Sequence, residues 1–188
     1  GGAVAAAPAG AAYPGDNGRI VFQSNRDGLP SIYSMSADGT NEVRLTNSPA
    51  NDREPTYSPD GRLIAFSSDR GHTRRGDEAT EIWLMRPDGT ELRSISVGNT
   101  PDSQPTFSPD GRRIIFVSRR GGQDGIYSMN LDGSRPTRLS FNPQPRQDDR
   151  NPTVAADSGR ILFEADARPR VEIHAIDANG ANRVNVTN

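Results

Sequence analysis

The chain has 188 residues, no cysteine and a formal net charge of −2. Without cysteine there can be no disulfide, thiolate catalysis or lipid-modified thiol, and a slightly acidic chain offers a nucleic-acid backbone nothing to bind. No run of about 18 apolar residues is present to span a membrane, and 19 glycines with 15 prolines indicate many turns between short elements.

In chain order, residues 1–12 are Ala/Gly/Pro-rich and uncharged. Gly10-Ala11-Ala12 ahead of Tyr13 carries the small residues of a signal-peptide cleavage site. Residues 1–16 are therefore expected to be a signal-peptide remnant or a flexible tail, and the protein to be periplasmic or extracellular.

From Asn17 onward the chain repeats itself. A Gly-Arg-apolar opening at Gly18, Gly61, Gly111 and Gly159 leads to Phe22, Phe66, Phe116 and Phe163, in steps of 44, 50 and 47 residues. Each copy later reaches a turn at Asp38-Gly39, Asp88-Gly89, Asp132-Gly133 or Asn179-Gly180, in steps of 50, 44 and 47. A period in the forties built of short strands is that of propeller blades. The second copy reads as strand A at residues 54–58, B at 63–67, C at 81–85 and D at 91–95. Tight Pro-Asp-Gly and Asp-Gly turns join A to B and C to D. The first copy lacks a strand A, so 15 strands are expected in four units, 17–47, 48–97, 98–141 and 142–188. In the fourth copy Pro152 to Gly159 is seven residues, against six from Pro55 to Gly61, which predicts a bulge or a looser turn.

Asp-x-x-Pro-x-aromatic-Ser-Pro-Asp-Gly, followed by Ile-x-Phe-x-Ser-x-Arg, Ile-Tyr-x-Met-x-x-Asp-Gly and Arg-Leu-Thr, resembles the repeat of TolB-type β-propellers (PD40 repeats) from about Asn17 to Asn188. TolB itself is a periplasmic protein whose six-bladed propeller binds peptidoglycan-associated lipoprotein and colicin segments. The resemblance implies an all-β propeller of four blades, either an open arc or part of a propeller of six or more. It also implies protein binding, without naming the partner. An arc would leave the flanks of its first and last blades uncovered, which favours self-association or completion by further blades.

The residues themselves give little for catalysis. His72 lies in a loop, and His174 stands at the strand-C position of Tyr33 and Tyr127. There is no Gly-x-Ser-x-Gly elbow and no His cluster at zinc spacing, so no enzyme activity and no cofactor are expected. Asp52, Asp102 and Asp149 open the three Asp-x-x-Pro motifs. Three roles compete for them: cross-strand ion pairs with Arg70, Arg120 and Arg168 about the turn glycines, ligation of a hard cation such as Ca²⁺, and capping of the turn. Apart from the one additional residue in the fourth A–B turn, length variation falls in the B–C and D–A connections. Arg70 to Ile82 is twelve residues where Arg26 to Ile32 and Arg120 to Ile126 are six. The insertion brings His72, Arg74, Arg75, Asp77 and Glu78, and the longest D–A link brings Phe141 and Arg146. These are the expected binding face of a non-catalytic protein-binding scaffold. The rival functions are the propeller part of a larger enzyme, peptidase or polysaccharide lyase, and a glycan-binding module in which Phe141 would serve.

Overall fold

The computed structural model describes residues 18–70, 80–96, 98, 100–141, 148–167 and 170–187. These hold fifteen strands in four antiparallel sheets. Blade 1 contains β1 (Arg19–Ser24), β2 (Ser31–Ser36) and β3 (Val43–Arg44). Blade 2 contains β4 (Asp52–Tyr57), β5 (Ile64–Ser68), β6 (Glu81–Met85) and β7 (Arg93–Ser94). Blade 3 contains β8 (Asp102–Phe107), β9 (Arg113–Ser118), β10 (Gly125–Asn130) and β11 (Thr137–Arg138). Blade 4 contains β12 (Asp149–Val154), β13 (Ile161–Ala167), β14 (Arg170–Ile176) and β15 (Val184–Asn185). Each sheet is a meander with neighbours in chain order, and blade 1 has no strand A among the described residues. The D strands are two residues long, shorter than the pattern of apolar residues predicts; just beyond them Ile95 and Leu139 are buried and still donate their N–H groups to strand C, to Ile82 and Ile126.

The blades stack through alternating side chains, since successive residues of a strand point to opposite faces. Ile64 and Phe66 pack with Ile32 of blade 1, whereas Ala65 between them joins Phe107, Ile114 and Phe116 of blade 3. Ile115 and Val117 then meet Val154, Ile161 and Phe163 of blade 4. Contacts between sheets run from blade 1 to 2, 2 to 3 and 3 to 4, and among the described residues none joins blade 4 to blade 1. Strands A of adjacent blades touch and strands D do not, so A lies inside the arc and D outside.

Each turn is held by its own side chains. Ser58 Oγ donates to Asp60 at 2.7 Å and accepts the Leu63 N–H at 2.9 Å, and Ser108 and Asp110 repeat the arrangement. The Ser58 hydroxyl and the Arg62 N–H hold the Asp60 carboxyl below the ordinary aspartate value. On the C–D turns, Thr40, Thr90 and Ser134 do the same for Asp38, Asp88 and Asp132. The additional residue of the fourth copy loosens its A–B turn: the Gly159 N–H reaches back to the Ala155 carbonyl, where the Gly61 N–H reaches Ser58, one residue nearer.

Every complete blade carries a bulge that the pattern of residues does not announce. The A–B register shifts between Arg53 and Thr56, between Ser103 and Thr106, and between Arg150 and Thr153. The cause is left-handed backbone just before each motif proline, with φ of 55° at Glu54, 54° at Gln104 and 52° at Asn151.

Candidate recognition face

Each strand A is pinned to the blade before it. The Asp52 N–H donates to the Pro30 carbonyl at 2.8 Å, Asp102 to Thr80 at 2.9 Å, and Asp149 to Asp124 at 3.0 Å. The same aspartates are buried and hold guanidinium groups. Asp52 takes Arg70 through both carboxylate oxygens, at 3.1 and 2.6 Å, and the Ser68 hydroxyl at 2.7 Å. Arg70 lies over Phe66 and Trp83, 5.6 and 5.4 Å from the ring centroids. The rings fix the guanidinium in place at little entropic cost, and the carboxylate keeps it neutralised where water is scarce.

The expected cross-strand geometry needs correction. Asp52 stands opposite Ser68, Asp102 opposite Ser118 and Asp149 opposite Ala165. The bulge displaces the register, and Arg70 and Arg120 reach back from two residues further on. Arg120 gives Asp102 one contact, through Nη2, and spends its Nε on Ser118 Oγ at 2.9 Å. Burial raises the Asp102 carboxyl above the ordinary aspartate value, while Ser118 and Arg120 pull it down. Asp149 is gripped by Arg183 from the D side of its own blade, both contacts at 3.2 Å, with the guanidinium 5.0 Å from the Phe163 ring. Arg168, the partner expected from turn symmetry, lies outside the described residues. The three carboxylates are thus engaged by arginine. Among the described residues no group of three His, Cys, Asp or Glu could hold a metal ion.

The bulge residues build a second link that residue spacing did not reveal. Gln23 Oε1 accepts the Glu54 N–H at 2.6 Å, Glu54 Oε2 accepts the Gln104 N–H at 2.8 Å, and Gln104 Oε1 accepts the Asn151 N–H at 2.8 Å. Each side chain caps the strained N–H of the next blade. Because Glu, Gln and Asn differ in name at one repeat position, comparison of the copies passes over them. In blade 1, where the described residues include no strand A to carry such a residue, Gln23 of strand B supplies the cap.

These links lie beneath the face formed by the B–C and D–A connections. Of the residues expected to bind there, Phe141 is 68% exposed. Its ring lies 5.7 Å from the Arg138 guanidinium. His72, Arg74, Arg75, Asp77, Glu78 and Arg146 lie outside the described residues. His174 is half-buried against Phe163 and accepts from Arg183 Nε through Nδ1 at 2.9 Å. On the same face a network crosses from blade 3 to blade 4: Asp124 joins Arg119 at 2.7 Å and Arg150 at 2.6 Å, and Arg150 also holds Asp148 at 2.9 Å. At the matching place between blades 1 and 2 lies a cleft of about 350 Å³ lined by Gln23, Ser24, Asn25, Pro30 and Arg53.

Residues 3–75 and 72–188 match the family described as PD40: TolB beta propeller domain. The chain belongs to this TolB β-propeller family. A TolB homolog from Chlorobaculum tepidum is 49% identical over 49 residues, which are 26% of this chain and 11% of that relative. The crystal structure of TolB from Acinetobacter baumannii superposes with a TM-score of 0.77 at 22% identity, covering 93% of this chain and 43% of that one. A puromycin-hydrolyzing peptidase from Mycobacterium tuberculosis gives 0.70 at 17%, covering 90% of this chain and 28% of that one. At these identities the two structural likenesses are of fold, and the TolB-type propeller here spans less than half of either solved chain.

Proposed function

We propose that this TolB-type propeller is a non-catalytic scaffold that binds a protein partner outside the cytoplasm, through the face made by its B–C and D–A connections. The observation that carries the proposal is the contrast between its two faces. On the A–B and C–D side, turns of nearly constant length saturate their own polar groups. On the other side the connections vary in length, carry charge, and leave Phe141 exposed above a rigid frame of buried Asp–Arg pairs. Rigid support with variable loops is how binding surfaces are built on repeat scaffolds. The kinship with TolB proteins, which include a Tol-Pal system protein TolB from Bordetella pertussis, supports a place in the cell envelope.

Charge reversal at Arg74 and Arg75 is expected to slow association with a captured envelope protein about tenfold or more at low salt, leaving dissociation nearly unchanged. Surface plasmon resonance at two salt concentrations checks this. Unchanged association in that double variant, with loss on altering the Asp38 or Asp88 turns, would put recognition on the opposite face.

A second reading follows from apolar side chains exposed on blades 1 and 4. Ile20 of blade 1 is 42% exposed, and Val171 and Val186 of blade 4 are 63% and 53% exposed. Burial of this apolar surface would drive self-association of the chain. Sedimentation should then show a mass that rises with concentration and that Val171→Asp with Val186→Asp returns to the monomer. A monomer at every concentration removes this reading.

A further inference from the structure

The interface between blades 3 and 4 shows what the cleft between blades 1 and 2 is missing. Arg150 and Arg53 occupy the same place, directly after the motif aspartate. Asp124 and Pro30 also correspond, because each gives its carbonyl to the N–H of the next blade's motif aspartate, at 3.0 and 2.8 Å. Between blades 3 and 4 the Arg150 guanidinium is satisfied within the chain, by Asp124 at 2.6 Å and Asp148 at 2.9 Å. Between blades 1 and 2 Pro30 replaces the first aspartate and Asn51 the second. Asn51 is itself turned to Asp69, to which its backbone and side-chain N–H groups donate at 2.7 and 2.6 Å. The Arg53 side chain is exposed and makes no hydrogen bond or ion pair among the described residues.

The rest of the cleft is donor-rich. Gln23 uses its Oε1 on Glu54 and keeps its amide N–H groups, and Asn25 has its side-chain amide available. The nearby acid Asp27 is committed to Tyr33 at 2.6 Å and Arg44 at 3.8 Å. At the corresponding position blade 3 has Ser103, so the arrangement of an open arginine is particular to this interface.

We propose that this cleft is a carboxylate-binding site, in which Arg53 takes an aspartate or glutamate side chain of a partner protein as Arg150 takes Asp124 within the chain. Gln23 and Asn25 supply the flanking donors. The proposal rests on the protein-recognition reading and adds to it the chemistry of the partner: an acidic segment seated in the cleft between blades 1 and 2. A planar guanidinium with two parallel donors suits a carboxylate, and a charge-assisted pair of this kind holds best where flanking groups exclude water.

The test is an NMR titration of the full chain with a triglutamate peptide blocked at both ends, following the Arg53 Nε–H and the side-chain amides of Gln23 and Asn25. Saturable shifts at these three residues are expected, absent with the triglutamine peptide. Arg53→Ala should weaken the peptide about ten- to hundredfold. Pro30→Asp should block it by installing the acid that Asp124 provides elsewhere, and it keeps the carbonyl that Asp52 needs. Equal shifts with triglutamine overturn the proposal. So do undiminished binding to Pro30→Asp, shifts spread equally over exposed arginines such as Arg62 and Arg112, or equal competition by inorganic phosphate. Any of these leaves the broader recognition reading standing, because that reading is decided by the separate Arg74 and Arg75 variants.

Discussion

Asp52→Ala is expected to destabilise the protein by about 3–5 kcal/mol, the range for breaking one partner of a buried ion pair. Asp52 is fully buried and the Arg70 side chain is 14% exposed. Removing the carboxylate strands a guanidinium over Phe66 and Trp83 and leaves the Ser68 hydroxyl without its acceptor. The contrast within the same molecule is Arg26 with Glu42, whose side chains are 47% and 36% exposed. There Glu42→Ala should cost about 0–1 kcal/mol. Urea unfolding of both variants checks the difference, and an Asp52→Ala loss within about 1 kcal/mol of that of Glu42→Ala would show that the pair does not support the blade.

The second large effect belongs to the C–D turns. A Cβ placed on Gly133 would lie 2.0 Å from the Ile95 carbonyl oxygen of the blade before it, and φ there is +81°. Gly39 has a similar φ of +84° with nothing within 4 Å. Left-handed backbone alone costs a non-glycine residue about 1–2 kcal/mol. Gly39→Ala should lose that much, and Gly133→Ala should lose at least about 2 kcal/mol more, because two backbones must part and the core between blades 2 and 3 opens with them. Thermal and urea unfolding give both values. Equal losses would mean that the close approach of turn and carbonyl contributes nothing to blade stacking.

Much of this architecture is written in the chain. Gly61, Gly111 and the Asp-Gly pairs mark turns whatever surrounds them, and Phe66 and Phe116 recur because each must fill the same inter-blade core. The Asp52 and Asp102 partners were legible for a simple reason: equal distances from a turn glycine bring residues close. Their register was not. It depends on left-handed backbone at Glu54 and Gln104, a conformation that residues of different type adopt there with the N–H capped by the neighbouring blade. Arg183 was hidden for a related reason. It reaches Asp149 from just before strand D of the same blade, and no symmetry about a turn links the two. The open Arg53 needed the structure altogether, since it is defined by what Pro30 and Asn51 fail to supply.

Protein recognition is proposed to belong to the B–C/D–A face. Site-specific photocrosslinking in envelope preparations tests it most directly, with p-benzoylphenylalanine placed in turn at Phe141 and at the exposed turn position Glu91 on the other side of the blades. A discrete protein adduct is expected from position 141, lost when Arg74 and Arg75 are reversed, and none from position 91. An adduct formed from position 91 and absent from position 141 would contradict it.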